Sequence, residues 1–325
     1  MRAMRADELT SIDCYQEIDL PTPEPGPGQV RVRISACGIG YVDALAATGG
    51  YQVKPQLPCI PGSEVGGTID AVGPGVEGLA VGERVMAGVR GGFADYALGS
   101  AASVQRIPDS MSFEQAAGFR VNYVTALHGL RDRAQLAAGE KLLVIGAAGG
   151  TGLAAVQVGR ALGAEVIAAA STAEKREFAL AHGAHMAIDT SPEGWRDRLK
   201  AVTGDKKVAV VFDPVCGPLF ELAFRSLGWR GRHLVVGFAA GPIPALPSNL
   251  TLMKGASLMG VDMRQMIEFE GRHGDDLLAE LVGWVGEGRI APPVGRRFPF
   301  SQAREALQFA LTGAGIGKTV LTLDE

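Results

Sequence analysis

The chain has 325 residues, 47% of them hydrophobic and 20% charged, which excludes a disordered or small disulfide-stapled protein and sets an expectation of about two domains. Lys plus Arg number 31 against 35 Asp plus Glu, a formal charge of -4 with no basic block, so neither nucleic acid nor a membrane surface is expected as a partner. The cysteines at positions 14, 37, 59 and 216 form no CxxC pair, and MRAMRADELT at the N-terminus has no apolar signal core, which together point to a reducing, cytoplasmic compartment. Glycine stands out at 45 residues, about twice the usual frequency. Two long charge-free stretches, 142–159 and 234–253, hold too many glycines and prolines for a lipid-spanning helix and read as buried strands with loops.

From the N-terminus to about residue 120 the chain is dense in Gly, Pro and short β-branched runs. Gln29-Val-Arg-Val-Arg-Ile34 alternates with period two, and further strands are predicted at 65–72, 84–87 and 93–97, as in a partly open β-barrel. Helical patterns begin at 113–117 and 123–130, and a domain boundary is placed near 120. Then strands at 141–145, 165–170, 187–189, 208–212 and 233–236 alternate with helices at 153–162, 173–182, 195–202 and 219–226. Apolar strands alternating with helices imply a doubly wound parallel sheet covered on both faces. A helix at 275–287, a strand at 294–298, a helix at 302–311 and a strand at 319–323 close the chain, and this tail is expected to return to the first domain.

The chemistry-bearing motif follows the strand at 141–145. Gly146-Ala147-Ala-Gly149-Gly150-Thr151-Gly152 leads straight into a helix, so a sharply turning backbone meets a helix N-terminus that carries unpaired N–H groups. Against GxGxxG the register is Ala147-x-Gly149-x-x-Gly152. A tight strand-to-helix turn needs glycine too; the βαβ context favours a dinucleotide. At the end of the second strand, where an NAD enzyme places an acid, the sequence reads Ala168-Ala-Ala-Ser171-Thr-Ala-Glu-Lys175-Arg176. A missing carboxylate, one hydroxyl and two cations suit a 2′-phosphate, so NADPH is expected; the bland reading of Glu174-Lys175-Arg176 is a solvated first turn.

These residues resemble the medium-chain dehydrogenase/reductase superfamily, in its zinc-free quinone oxidoreductase (zeta-crystallin-like) branch. The resemblance runs through Ala36-Cys-Gly38, Leu57-Pro-Cys-Ile-Pro-Gly-Ser-Glu64, Val81-Gly-Glu-Arg-Val85, Gly91-Gly-Phe-Ala-Asp-Tyr96, Tyr123-Val-Thr-Ala126, the glycine turn, Phe212-Asp-Pro-Val215, Val235-Val-Gly-Phe238 and Gly315-Ile-Gly-Lys318. It implies an α/β protein: a GroES-like, partly open β-barrel catalytic domain from 1–120 and 263–325, and a doubly wound Rossmann domain for NADP(H) at 121–262. It also implies a homodimer paired along the sheet edge at Ser257-Leu-Met-Gly-Val261. The zinc alcohol dehydrogenases of the superfamily use Cys, His-Glu and a further Cys or acid. Here Cys37 has the first place but Ser63 stands where the His would be, and the five histidines, His128, His182, His185, His233 and His273, show no metal-like cluster, so no metal is expected.

Without zinc, the implied reaction is hydride delivery from NADPH to a quinone or α,β-unsaturated carbonyl, with the resulting anion held by hydrogen bonds and protonated. Tyr51, Tyr123 or water are the candidate donors; Tyr51 also reads as a loop-packing aromatic. By the resemblance, Thr125 touches the nicotinamide carboxamide, Gly237 and Phe238 border the ring, and Asn249, in a loop before Leu250, lines the cofactor groove. The sequence departs from the branch at Gly40, where Asn is usual, and at Thr190, which replaces a Tyr near the adenosine phosphate. Arg90 and Arg120 stand where the branch has uncharged residues, and one of them is expected to anchor an acidic acceptor unless both are merely solvated. The alternative from another class is an NADPH-binding scaffold, redox sensor or RNA binder with little turnover.

Overall fold

The computed structural model describes residues 1–271 and 273–323. Two compact units share the chain: Met1–Val121 with Leu278–Gly286 and everything from Pro292 onward, and Asn122–Leu277 with Glu287–Ala291.

The first unit opens with β1 (Arg2–Arg5), β2 (Gln16–Asp19), β3 (Gln29–Ile39), α1 (Tyr41–Ala47), β4 (Glu64–Val72), β5 (Arg84–Gly88), β6 (Tyr96–Ser100), β7 (Val104–Arg106) and α2 (Phe113–Ala117), followed by α3 (Arg120–Leu127). In β3 the period-two pattern does what it predicts: Val30, Val32 and Ile34 are buried in the core with Val65, Ile69, Val85 and Phe93, while the alternate Arg31 and Arg33 lie outside it. The strand predicted at 93–97 is displaced to β6. Residues 93–95 leave the sheet to pair with the chain start, Met4 N donating to Phe93 O and Asp95 N to Arg2 O, and Asp95 accepts a forked bond from the Arg2 guanidinium.

The second unit contains β8 (Lys141–Ile145), α4 (Gly150–Ala161), β9 (Glu165–Ala169), α5 (Ala173–Ala181), β10 (Met186–Ile188), α6 (Trp195–Thr203), β11 (Val208–Asp213), α7 (Phe220–Ser226), β12 (Leu227–Val235), α8 (Asn249–Lys254), β13 (Ser257–Gly260) and α9 (Met263–Glu270). Its six strands run in the order β10-β9-β8-β11-β12-β13, every neighbouring pair parallel. Strand order therefore reverses between β8 and β11, and the crevice outside their carboxyl ends is where a ligand belongs in such a sheet. Every residue of β8 is buried, as expected of a strand with helices on both faces. The stretch 234–253 is corrected: after β12 it is largely exposed loop broken by prolines at 242, 244 and 247, and then the helix α8, whose Leu250 is buried in the core of the sheet. Asn249 accordingly begins a helix and is not a loop residue.

After α10 (His273–Gly286), the chain adds β14 (Val294–Pro299), α11 (Ala303–Leu311) and β15 (Lys318–Thr322). These strands join the first unit's larger sheet, ordered β14-β15-β3-β4-β5-β7 with β6 beside β3, whereas residues 263–277 and 287–291, expected in the first domain, fall in the second unit. Among the described residues no helix is long and apolar enough to cross a membrane.

Candidate cofactor and active site

At the carboxyl end of β8, Gly146 turns with φ 64°, and Gly149 N donates back to Gly146 O at 3.0 Å. Helix α4 starts at Gly150, earlier than predicted, so Thr151 and Gly152 belong to its first turn. Gly149 caps it without a side chain, and the first-turn N–H groups have no partner within the helix. Gly152 is required: a Cβ there would overlap the Gly146 carbonyl. Ala147, where the usual first motif glycine is missing, is buried and donates its N–H to Ala169 O at 3.2 Å; it faces the neighbouring strand, and there a methyl is tolerated. Thr151 Oγ1 donates to Asn122 Oδ1 at 2.8 Å. Sequence reasoning passed over Asn122, a buried residue whose only signal was its place before Tyr123.

At the end of β9, Ser171 is exposed and Thr172 caps α5, accepting from Lys175 N at 3.2 Å. Arg176 is already engaged. Its Nη1 donates to Ala170 O at 3.1 Å and to Asp189 Oδ2 at 2.7 Å. The second strand ends without an acid, but parallel pairing with β10 brings Asp189 alongside, next to Thr190. The Ser191 N–H and hydroxyl and the Arg176 guanidinium hold that carboxyl below its usual range.

The other expected cofactor residues divide. Thr125 is buried with Oγ1 3.7 Å from Met263 Sδ, Gly237 lies against the Pro214 carbonyl at the switch point, and Phe238 is half-buried beside it. Asn249 sits on the exposed start of α8 with its amide 3.8 Å from Met253 Sδ.

Tyr123 does not fit the role of proton donor. Its hydroxyl is buried and donates to Gln157 Oε1 at 2.8 Å, and burial pushes its pKa above the ordinary tyrosine value. Tyr51, in the first unit after α1, is half-exposed. Arg120 is also committed, its Nη1 donating to Ser103 O at 2.7 Å, whereas Arg90 is exposed on the loop before Gly91.

The place of the superfamily's metal lies within the first unit. Cys37 is fully buried in β3, and a Cβ at Gly62 or Gly92 would stand 2.7 or 2.8 Å from its Sγ, so the two glycines close over the thiol. Burial pushes that thiol well above its usual pKa. Ser63 Oγ donates to Asp43 Oδ1 at 3.1 Å, and Asp43 Oδ2 accepts from Gly40 N at 2.8 Å, so Gly40 serves as the helix cap of α1. Beneath, Glu64 is buried with Oε1 accepting from Val121 N at 2.9 Å and Oε2 3.8 Å from Lys318 Nζ. Desolvation pushes Glu64 up to about 7 against the opposing pull of Lys318.

The expectation that the histidines form no cluster is corrected in the second unit. His128 and His273 both lie within hydrogen-bond range of Asp132 Oδ2, at 3.2 and 2.8 Å, a convergence of distant segments that local spacing does not show.

Residues 26–109 match the alcohol dehydrogenase GroES-like domain, and residues 150–274 match the zinc-binding dehydrogenase family. Quinone oxidoreductase of Pongo abelii is 32% identical over 327 residues, which cover 99% of this chain and 98% of that protein. The chain belongs to the medium-chain dehydrogenase/reductase family, in its quinone oxidoreductase branch. In the same family, the quinone oxidoreductase of Thermus thermophilus, solved also as its complex with NADPH, is 34% identical, with 99% of this chain and 100% of that one covered and a TM-score of 0.84. A solved NAD-dependent alcohol dehydrogenase is 28% identical over the full length of both chains with a TM-score of 0.92. Shape alone therefore does not choose cofactor or substrate within this family; side chains do.

Proposed function

We propose that the protein is an NADPH-dependent reductase of quinones or α,β-unsaturated carbonyls that works without zinc. The observation that carries this reading is the Gly146–Gly152 turn, which enters a helix N-terminus with no side-chain cap at the switch point of a parallel sheet. That arrangement suits a pyrophosphate: the Gly146 turn admits close approach, and the first-turn N–H groups of α4 supply donors and partial positive charge. Thr151, held by Asn122, fixes the turn; Ser171 and Lys175 would meet a 2′-phosphate, with Arg176 and Thr190 bordering it. Thr125, Gly237 and Phe238 are proposed for the nicotinamide end. The NADPH complex of the Thermus thermophilus relative supports the choice of cofactor.

Bound NADPH supplies the hydride. The protein's own part is to orient the acceptor, keep water from the reduced carbon and return a proton to the anionic oxygen, and Tyr51 is the proposed donor. Zinc is not part of the proposal because its donor set does not fit. Cys37 is a buried thiol closed over by backbone, and Ser63, a weak ligand, already bonds Asp43. The reaction left to such a site is reduction of an acceptor that is electrophilic without a Lewis acid.

The protein is further proposed to be a homodimer. β13 is the open edge of its sheet, and the apolar side chains near it are exposed: Leu258 at 42%, Trp229 at 79%, Leu252 at 82%. Unpaired edges beside apolar patches are sites of strand addition.

The deciding experiment is oxidation of NADPH and of NADH against a panel of benzoquinone, phenanthrenequinone, cyclohexenone, an acidic enone and an enoyl thioester. Turnover with NADPH and one acceptor class is expected. Binding of NADPH with no turnover across the panel would favour the scaffold or regulatory reading instead.

A further inference from the structure

The proposed reaction leaves one group of metal-ligating side chains unused, in the second unit. His128 opens a π-helical stretch, His128–Arg133, that continues α3, and Asp132 lies four residues on. His273 opens α10, and Glu270 closes α9 three residues before it. One donor atom from each of His128, Glu270 and His273 lies within 4.8 Å of the other two. Asp132 Oδ2 is 3.2 Å from His128 Nδ1 and 2.8 Å from His273 Nε2, while Glu270 Oε2 is 3.9 Å from His273 Nε2.

The two imidazoles stand 6.1 Å apart, edge to face. His128 meets Asp132 through Nδ1 and has Nε2 to offer, while His273 Nε2 faces both Asp132 Oδ2 and Glu270 Oε2. A carboxylate accepting from a ring nitrogen is the arrangement that fixes the tautomer and orientation of a metal-binding histidine. The local charge also invites a cation: among the described residues, Asp132 and Glu270 are opposed by the Arg131 guanidinium, whose Nε lies 2.9 Å from Asp132 Oδ1. Tetrahedral zinc with ordinary bond lengths places its ligand atoms about 3.4 Å apart, so the three donors need to close by about 1 Å. Glu270 can make most of that movement, because its side chain is 46% exposed.

We propose that His128, His273 and Glu270 form a binding site for a divalent transition metal of the zinc class, with Asp132 positioning the His128 imidazole and water completing the shell. Two imidazoles and a carboxylate suit zinc, copper and nickel, and disfavour calcium and magnesium. The site is separate from Cys37 and Ser63, and it does not rest on the proposed reaction. Its effect is structural: the metal ties the α9–α10 turn to the π-helical stretch and stabilises the folded chain by mass action.

The test uses the full-length, chelator-treated protein titrated with Zn²⁺ by equilibrium dialysis and thermal melting, and with Co²⁺ by visible absorption. Expected are one equivalent bound per chain, a higher Tm, and the intense cobalt bands of four-coordinate geometry. His273→Ala should abolish all three with the far-ultraviolet dichroism unchanged. Asp132→Asn should keep the stoichiometry and weaken affinity roughly 10–100-fold. If the wild type binds no stoichiometric metal, or if a folded His273→Ala binds as well as the wild type, the proposal is overturned.

Discussion

Arg176 Nη1 lies 2.7 Å from Asp189 Oδ2, so a cation following the second strand of the parallel sheet is already paired with an acid following the third. The pair is partly exposed, at 26% and 29% of the side-chain surface, and worth little in stability. Its effect falls on cofactor choice, since Asp189 offsets charge that a 2′-phosphate would use. Asp189→Asn is expected to lower the KM for NADPH about threefold, the scale of an exposed ion pair. Lys175→Ala is expected to raise it about tenfold, near 1.4 kcal/mol. Neither change should move the KM for NADH, and steady-state kinetics with both cofactors checks this; equal shifts with both would remove Lys175 from the 2′-phosphate site.

The two tyrosines should separate. Tyr123→Phe removes one buried hydrogen bond, but Gln157 Oε1 still accepts from Ala291 N, so the expected cost is about 1 kcal/mol of stability with kcat unchanged. Tyr51→Phe should lower kcat on the order of 10²-fold with little change in Tm. An unchanged kcat in Tyr51→Phe would leave water as the proton donor.

Glu64 gives the protein a pH dependence of definite sign. Its folded pKa of about 7 stands above the ordinary 4.5, so between those values the unfolded chain has released a proton that the folded chain retains. Stability from this group is fully present below about pH 4.5 and is lost as pH rises toward 7, to a total on the order of 3 kcal/mol. Denaturant melts across that window should show a shallower fall for Glu64→Gln than for the wild type. Parallel curves would mean that Lys318 keeps Glu64 ionised.

With Arg120 bound to the Ser103 carbonyl, Arg90 is the cation left to meet an acidic acceptor. Arg90→Ala is expected to raise the KM of an acidic enone about tenfold and to leave that of a neutral enone unchanged, as loss of one charged contact requires. The same KM values in both proteins would return Arg90 to the solvated surface.

Leu258→Lys places a charge on the exposed edge strand β13, and Trp229→Glu does so on the adjacent strand β12. Either is expected to convert a dimer to a monomer in sedimentation or light scattering, with helix content retained. A wild-type monomer at micromolar concentration would refute the edge pairing directly.

The parallel sheet was readable because the centres of its buried strands are largely apolar, and β8 was placed residue for residue. Boundaries blurred where glycine has two meanings. Gly150-Thr-Gly152 looks like loop yet fits a first helical turn, and Gly228-Trp-Arg-Gly231 looks like a turn yet lies within β12, where Arg230 takes φ 59° and Trp229 is pushed out. Helices α1, α8 and α9 went unpredicted because they are only six to eight residues long, about two turns of pattern each. The glycine turn could be found in sequence because its parts are contiguous. Asp189 beside Arg176, Asn122 under Thr151 and His273 beside Asp132 could not, since each is made by tertiary pairing of segments whose local patterns carry no trace of one another.

The closeness of Gly62 and Gly92 to the Cys37 thiol also limits what substitution this corner of the first unit can accept. A methyl at either glycine would stand 2.7 or 2.8 Å from the sulfur, nearer than a carbon and a sulfur can pack. Two loops are thus bound to glycine by a side chain that belongs to a strand distant from them in sequence.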